Sequence, residues 1–156
     1  MILPSPKQLG AWAAIAASLI VPWEGLSLRA VPDALAGGLP TVCYGMTKYD
    51  RPVKIGDKYT KAQCLEFLIA DMPKYNGPLN KCIKVPISNH QRAAAVSAAY
   101  NLGSGTICKS QFVKHLNARD PHACDYLIRF VKASGHYVQG LANRRKAEIK
   151  VCYTKD

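Results

Sequence analysis

Glu24-Gly-Leu-Ser-Leu-Arg-Ala-Val-Pro-Asp33, continued by Ala34-Leu-Ala-Gly-Gly-Leu-Pro40 and Thr41-Val-Cys-Tyr-Gly45, is the stretch on which the fold turns. The stretch is rich in Gly and Pro and contains the short β-prone run Thr41-Val-Cys-Tyr44, which reads as irregular or β structure rather than helix. The stretch also holds two acids in a chain with ten acidic residues against 21 basic ones, and no other acid precedes Asp50. Two carboxylates on neighbouring elements are what cleavage of a glycosidic bond requires: one acid for the leaving oxygen, one carboxylate for water or the sugar. Glu24 closes an apolar segment behind Trp23, where burial would keep a carboxyl protonated and able to donate; Asp33 sits in a polar turn that suits a carboxylate. Thr41 opens a β-prone run and is placed to orient a water. On spacing alone, such a pair is most often two solvated surface charges, and such a threonine an ordinary strand residue.

Upstream of Glu24, residues 8–23 carry no formal charge and follow a single Lys7. As a helix this run spans about 24 Å, short of the roughly 30 Å of a bilayer core. Three readings fit: a signal-peptide core, a weak membrane anchor, or the first helix of the folded domain. Glu24 follows without a linker, which disfavours a cleaved signal peptide. Downstream, Arg51-Pro-Val-Lys-Ile55 is a further β-prone run, and after Tyr59 the pattern turns helical. Thr60-x-x-Gln63 predicts a capping box and a helix ended by Pro73. Ser88-x-x-Gln91 predicts a second, running through an alanine-rich stretch to Gly103; its small residues imply a central, closely packed helix. Ser110 is expected to open a short helix through Leu116. Asp120-Pro121 is expected to open another to about Phe130, and a last helix covers about 142–153. The layout is one domain with a small β-containing lobe before a larger helical lobe.

The bulk numbers narrow the partners. A chain of 156 residues with 49% hydrophobic content is long enough to bury a core, and its net charge of +11 favours a polyanionic partner. No nucleic-acid motif accompanies the charge, so nucleic acid is not expected. The six cysteines, Cys43, Cys64, Cys82, Cys108, Cys124 and Cys152, include no C-x-x-C pair, and the four histidines lack zinc-ligand spacing, so no metal is expected. Wide spacing and an even count suggest disulfides and an oxidising compartment, with roughly fifteen pairings open.

The stretch Glu24-Gly-Leu…Asp33…Pro40-Thr41-Val-Cys43-Tyr-Gly45-Met-Thr47 resembles the phage-type lysozymes of glycoside hydrolase family 24, whose motif is Glu-x8-Asp-x5-Thr. The resemblance continues at Tyr59-Thr-Lys-Ala-Gln-Cys64, at Val85-Pro-Ile…Gln91-Arg-Ala-Ala…Tyr100-Asn-Leu-Gly103, and at Gly140-Leu-Ala-Asn-Arg-Arg145…Glu148…Cys152. It implies an α+β, lysozyme-like fold with a cleft between a β-hairpin lobe and a helical lobe. It implies hydrolysis of the β-1,4 bond between N-acetylmuramic acid and N-acetylglucosamine in peptidoglycan, without a cofactor, by a monomer. Glu24 is then the general acid, Asp33 positions or activates water, and Thr41 completes the set. Tyr100 and Asn101 fall where the family lines its cleft to bind substrate, and Arg144 where an arginine pairs with the catalytic Glu. Three departures stand out: seven residues rather than five separate Asp33 from Thr41, Met46 stands where a histidine is usual and loses an ion pair, and Phe130 replaces a tryptophan.

The N-terminus resembles the signal-arrest-release branch of the family. That resemblance implies an apolar segment, 1–23, joined to a catalytic domain, 24–156. Residues 9–23 would tether the enzyme to the inner membrane before release into the host periplasm. Cys43, Cys64, Cys124 and Cys152 fall at positions common among relatives, and the expected pairs are Cys43–Cys64, Cys82–Cys108 and Cys124–Cys152. Two rivals remain in view: a lytic transglycosylase, which needs the Glu but no water-activating Asp, and a cationic protein that binds walls or disrupts membranes without cleavage.

Overall fold

The computed structural model describes residue 3 and residues 6–156; residues 1, 2, 4 and 5 of the apolar N-terminal segment lie outside the described residues. The chain runs α1 (Pro6–Leu9), α2 (Ala11–Ile20), β1 (Ser27–Asp33), β2 (Leu39–Cys43), α3 (Lys61–Cys82), α4 (Asn89–Leu102), α5 (Ser104–Cys108) and α6 (Gln111–Asn117). A 3-10 segment, Ala123–Arg129, then leads to β3 (Lys132–Ala133), β4 (His136–Tyr137) and α7 (Gln139–Tyr153). Mostly helical, with one small antiparallel hairpin at the front, this is the expected lysozyme-like α+β architecture.

Why α4 is the hub can be seen in its composition. Ser88 accepts from the Gln91 N–H at 3.0 Å while Gln91 Oε1 accepts from the Ser88 N–H at 2.9 Å, so the predicted capping box starts the helix. Every residue from Ala93 to Ala99 is buried, because methyl-sized side chains let α2, α3, α5 and α7 all approach the same helix. Gly103, at φ 91°, ends it in a conformation that disfavours other residues.

The N-terminal segment takes the core-helix form. Ala13, Ala16, Ala17 and Ile20 of α2 are at most 1% exposed and pack on α4. Gly10, at φ 104°, and Pro22 confine α2 to Ala11–Ile20, about 15 Å of helix. Among the described residues, no helix is long and apolar enough to cross a membrane.

The Thr60–Gln63 capping box starts α3 as predicted, but α3 does not stop at Pro73; it continues through Pro73 and Pro78 to Cys82. Its buried residues Cys64, Leu68, Met72, Asn76 and Leu79 form one unbroken stripe, while both prolines lie on the exposed face. There the carbonyls deprived of a partner can meet water, and packing of the opposite face outweighs the proline penalty. Three further expectations are corrected. Residues 51–55 are irregular rather than a strand, although the segment after them lies along β1 through Ala30 N–H to Asp57 O at 2.8 Å and Tyr59 N–H to Leu28 O at 2.9 Å. Asp120 accepts from the His122 N–H at 2.8 Å, yet the segment it opens, Ala123–Arg129, is 3-10 rather than α-helix. The last helix begins at Gln139, earlier than 142.

The disulfides are Cys43–Cys64, Cys82–Cys108 and Cys124–Cys152, the expected pairs. The first ties the end of β2 to the first turn of α3. The others close the far end of α3 onto α5 and the 3-10 segment onto α7.

Candidate active site

Glu24 comes directly after a 3-10 turn, Val21–Trp23, that Pro22 favours by its fixed φ. At Glu24 the backbone turns extended and leads into β1. In the hairpin, Val31 pairs with Thr41 and Asp33 with Leu39. Asp33 and Thr41 are therefore diagonal neighbours on the same face of the sheet, since side chains two apart along a strand point the same way. The tip between the strands is a tight turn: Asp33 Oδ1 accepts from the Leu35 N–H at 2.9 Å, and Gly37 and Gly38 take positive φ. The pairing next to the tip is regular from Asp33–Leu39 to Val31–Thr41, and the register shifts only below it, between Ser27 and Val31, so Thr41 stays on the shared face.

Glu24, Asp33 and Thr41 line one open cleft of about 460 Å³, together with Val31, Cys43 and Gly45. Glu24 does not have the apolar burial expected behind Trp23. Its side chain is 26% exposed, and Trp23 is itself exposed. It is held instead by Arg144, whose Nη1 donates to Oε1 at 3.2 Å. Thr41 Oγ1 donates to Leu39 O at 3.1 Å, which leaves its lone pairs as acceptors.

Arg144 is 3% exposed and fully engaged. Its Nη2 donates to Ser97 O at 3.0 Å and its Nε to Glu148 Oε2 at 3.4 Å. Ser97 Oγ donates to the same Glu148 oxygen at 2.6 Å. Arg145 Nε lies 2.6 Å from Glu148 Oε1, a charge contact without hydrogen-bond alignment, and Arg145 Nη1 has no hydrogen-bond partner. Burial pushes the Glu148 carboxyl up from its ordinary pKa and the Arg145 guanidinium down. Ser97 and Glu148 have no part in the site that the sequence alone suggests. The available signals are a lone hydroxyl in an alanine run, and a Glu three and four residues after two arginines on one helix.

Tyr100 and Asn101 are not among the residues that line the cleft with Glu24. The Tyr100 hydroxyl donates to Tyr44 O, and its ring lies 5.0 Å from that of Tyr75. Burial pushes the Tyr100 hydroxyl well above its ordinary pKa. Asn101 Oδ1 accepts from Arg145 Nη2 at 2.8 Å. Tyr100 thereby holds the turn at Tyr44–Gly45 and lines a pocket that adjoins the cleft at Cys43 and Gly45, and Asn101, which is exposed, holds Arg145. The ion pair missing at Met46 is made by a neighbour. Arg51 binds Asp71 through Nη2 at 2.6 Å and Nη1 at 3.2 Å, touches Met46 Sδ, and lies over the Phe67 ring at 4.3 Å. Among the described residues, no group of His, Cys, Asp and Glu could hold a metal ion.

Known proteins carry the same plan. A family model described as phage lysozyme matches residues 21–148. The SAR-endolysin of Enterobacteria phage P21 is 36% identical over 130 residues, 83% of this chain and 76% of that protein. The endolysin from Escherichia coli O157:H7 phage FAHEc1 superposes with a TM-score of 0.74 at 34% identity, covering 89% of this chain and 90% of that one. A crystal structure of a P22 lysozyme mutant shares the fold, with a TM-score of 0.79 at 22% identity over 99% of this chain and all of that one. The chain belongs to the phage lysozyme family, enzymes that degrade peptidoglycan.

Proposed function

We propose that this endolysin is an N-acetylmuramidase, cleaving the β-1,4 bond between N-acetylmuramic acid and N-acetylglucosamine by addition of water. The observation that carries this reading is the convergence of Glu24, Asp33 and Thr41 on one cleft. Glu24 donates the proton to the leaving glycosidic oxygen. Asp33 and Thr41, side by side on the hairpin, offer acceptors to both hydrogens of one water and leave its lone pair for the anomeric carbon. A transglycosylase would have no use for that second acid, which disfavours it. Tyr100 and Asn101, beside the Tyr44–Gly45 end of the cleft and on Arg145 respectively, bind substrate in this scheme. The enzyme acts as a monomer, without nucleic acid.

The test uses purified sacculi, in which no membrane is present. The enzyme is expected to solubilise them. A cationic protein that lyses only by disturbing membranes would leave them intact.

The apolar segment 1–23 fits a second role, as a weak inner-membrane anchor that later docks beside the 24–156 domain. Its support is the small-residue face of α2, since alanine and glycine reduce the cost of leaving lipid and permit close packing on α4. Glu24 follows α2 after the single turn Val21–Trp23, so in this reading a tethered chain lacks a finished site. In Gram-negative cells the full-length chain is expected to fractionate with the inner membrane before lysis and then in the periplasm. Recovery from the cytosol alone would contradict the anchor.

A further inference from the structure

We propose that Glu148 is a positioning residue for catalysis: it shares Arg144 with Glu24 and sets how strongly that arginine holds the acid. The inference rests on the reading of Glu24 as the proton donor.

Glu148 is fully buried between two arginines of its own helix, with Ser97 of α4 donating to it. Stability alone is a weak reason for such a group, because buried ion clusters are often replaced by apolar residues without loss. What the cluster does is orient. Arg144 is pinned at Nε by Glu148 and at Nη2 by Ser97 O, so that Nη1 is the donor left for Glu24. A guanidinium is planar, so fixing two of its nitrogens fixes the third. Arg145 is directed elsewhere, to Glu148 and Asn101.

The same arrangement is a charge balance. Arg144, Arg145 and the Glu148 carboxylate together present a single positive charge behind Glu24; without the carboxylate they would present two. Other titratable groups on this side of the molecule are Asp33 of β1, which shares the cleft with Glu24, and Tyr100 of α4 and Tyr75 of α3, on which Glu24, Asp50 and Asp71 all act electrostatically. Helix α2 contributes none. Both tyrosines are pushed up by burial and stay neutral through the working range, so of these groups Asp33 and Glu148 carry negative charge, and Glu148 is the one in contact with both arginines. A proton donor held too tightly as a carboxylate is a poor donor.

The test is the pH–rate profile on peptidoglycan. Glu148→Gln keeps the shape and an acceptor for Ser97 but removes the charge. Loss of a unit charge in contact with the arginine that holds Glu24 moves the basic limb down by about one pH unit. Glu148→Asp retains the charge and is expected to hold the limb within about 0.3 unit of wild type even if it melts earlier. A purely structural Glu148 would lower activity without moving the limb. If Glu148→Gln does not fold, Arg145→Gln is compared with the Arg145→Gln/Glu148→Gln pair: the single variant leaves no net charge behind Glu24 and its limb rises, and the pair restores one positive charge and brings the limb back down. An unmoved limb in a folded Glu148→Gln variant, or the same limb in Arg145→Gln and in the pair, overturns the inference. Failure of the underlying reading is a separate result, namely an active Glu24→Gln enzyme.

Discussion

Glu24→Gln is expected to slow peptidoglycan digestion by about 10³-fold or more, with a melting temperature within about 5 °C of wild type. A positioned general acid contributes roughly 10²–10⁴-fold. The alkoxide that departs without it is a poor leaving group at neutral pH, which sets the effect toward the upper end. The amide is nearly isosteric, and its oxygen still accepts from Arg144 Nη1, so the side chain keeps its place over the cleft. What it lacks is the proton. Arg144 retains Ser97 O and Glu148 as partners, which is why folding is spared. Turbidity loss of sacculi beside a thermal melt measures both quantities. Activity within a few-fold of wild type would remove Glu24 from the chemistry.

Complete reduction of the disulfides is expected to lower the melting temperature by about 20 °C or more. The cross-linked residues are 21, 26 and 28 apart in sequence. Chain entropy assigns each such loop about 3 kcal/mol, and together they reach the roughly 5–15 kcal/mol that stabilises an ordinary domain. At about 2–4 °C per kcal/mol for this size, losing Cys82–Cys108 alone, as the paired serine variant, lowers the melt by about 6–12 °C. That bond lies at the far end of α3 from the hairpin, and activity at low temperature is expected to survive its loss. Cys43–Cys64 differs, because Cys43 lines the cleft two residues from Thr41 and Cys64 sits in the first turn of α3. Its loss is expected to reduce turnover even well below the melt. Circular dichroism and sacculus digestion with and without reductant report both effects. A melt that moves less than about 5 °C after complete reduction would show that the core alone holds the fold.

Local chemistry is the legible part of this chain. The capping boxes at Thr60 and Ser88 lie within one turn of what they cap, and both form as predicted. Glu24 and Asp33 lie on consecutive elements, and the β-prone run at Thr41 forms β2, which pairs with β1 across a glycine turn. Sequence and structure part where distant packing outweighs local preference. Pro73 is a helix breaker by propensity, but the stripe from Cys64 to Leu79 is set by helices that come together only in the fold. Helix α5 and the β3–β4 hairpin are too short to leave a periodic signal, although Ser134-Gly135 marks the hairpin turn with positive φ. The deepest part of the site is hidden for the same reason. Ser97 and Glu148 are 51 residues apart and meet only because α7 packs on α4. The sequence suggests a Glu24 carboxyl buried behind a tryptophan, whereas its environment is an arginine 120 residues away. The apolar N-terminus admits three readings as a sequence, and in the fold its alanines are the surface that lets α2 seat on the central helix.

The central claim is that Glu24 acts with Asp33 and Thr41 to deliver water across one cleft, and the chemical form of the products tests it most directly. Wild-type enzyme digests purified sacculi, and mass spectrometry reads the released muropeptides. The account predicts products ending in reducing N-acetylmuramic acid, each carrying one added water, with the heavy isotope in that position when digestion runs in oxygen-labelled water. Muropeptides ending in anhydro-muramic acid, free of label, would contradict it and assign Asp33 and Thr41 a role other than holding the nucleophile.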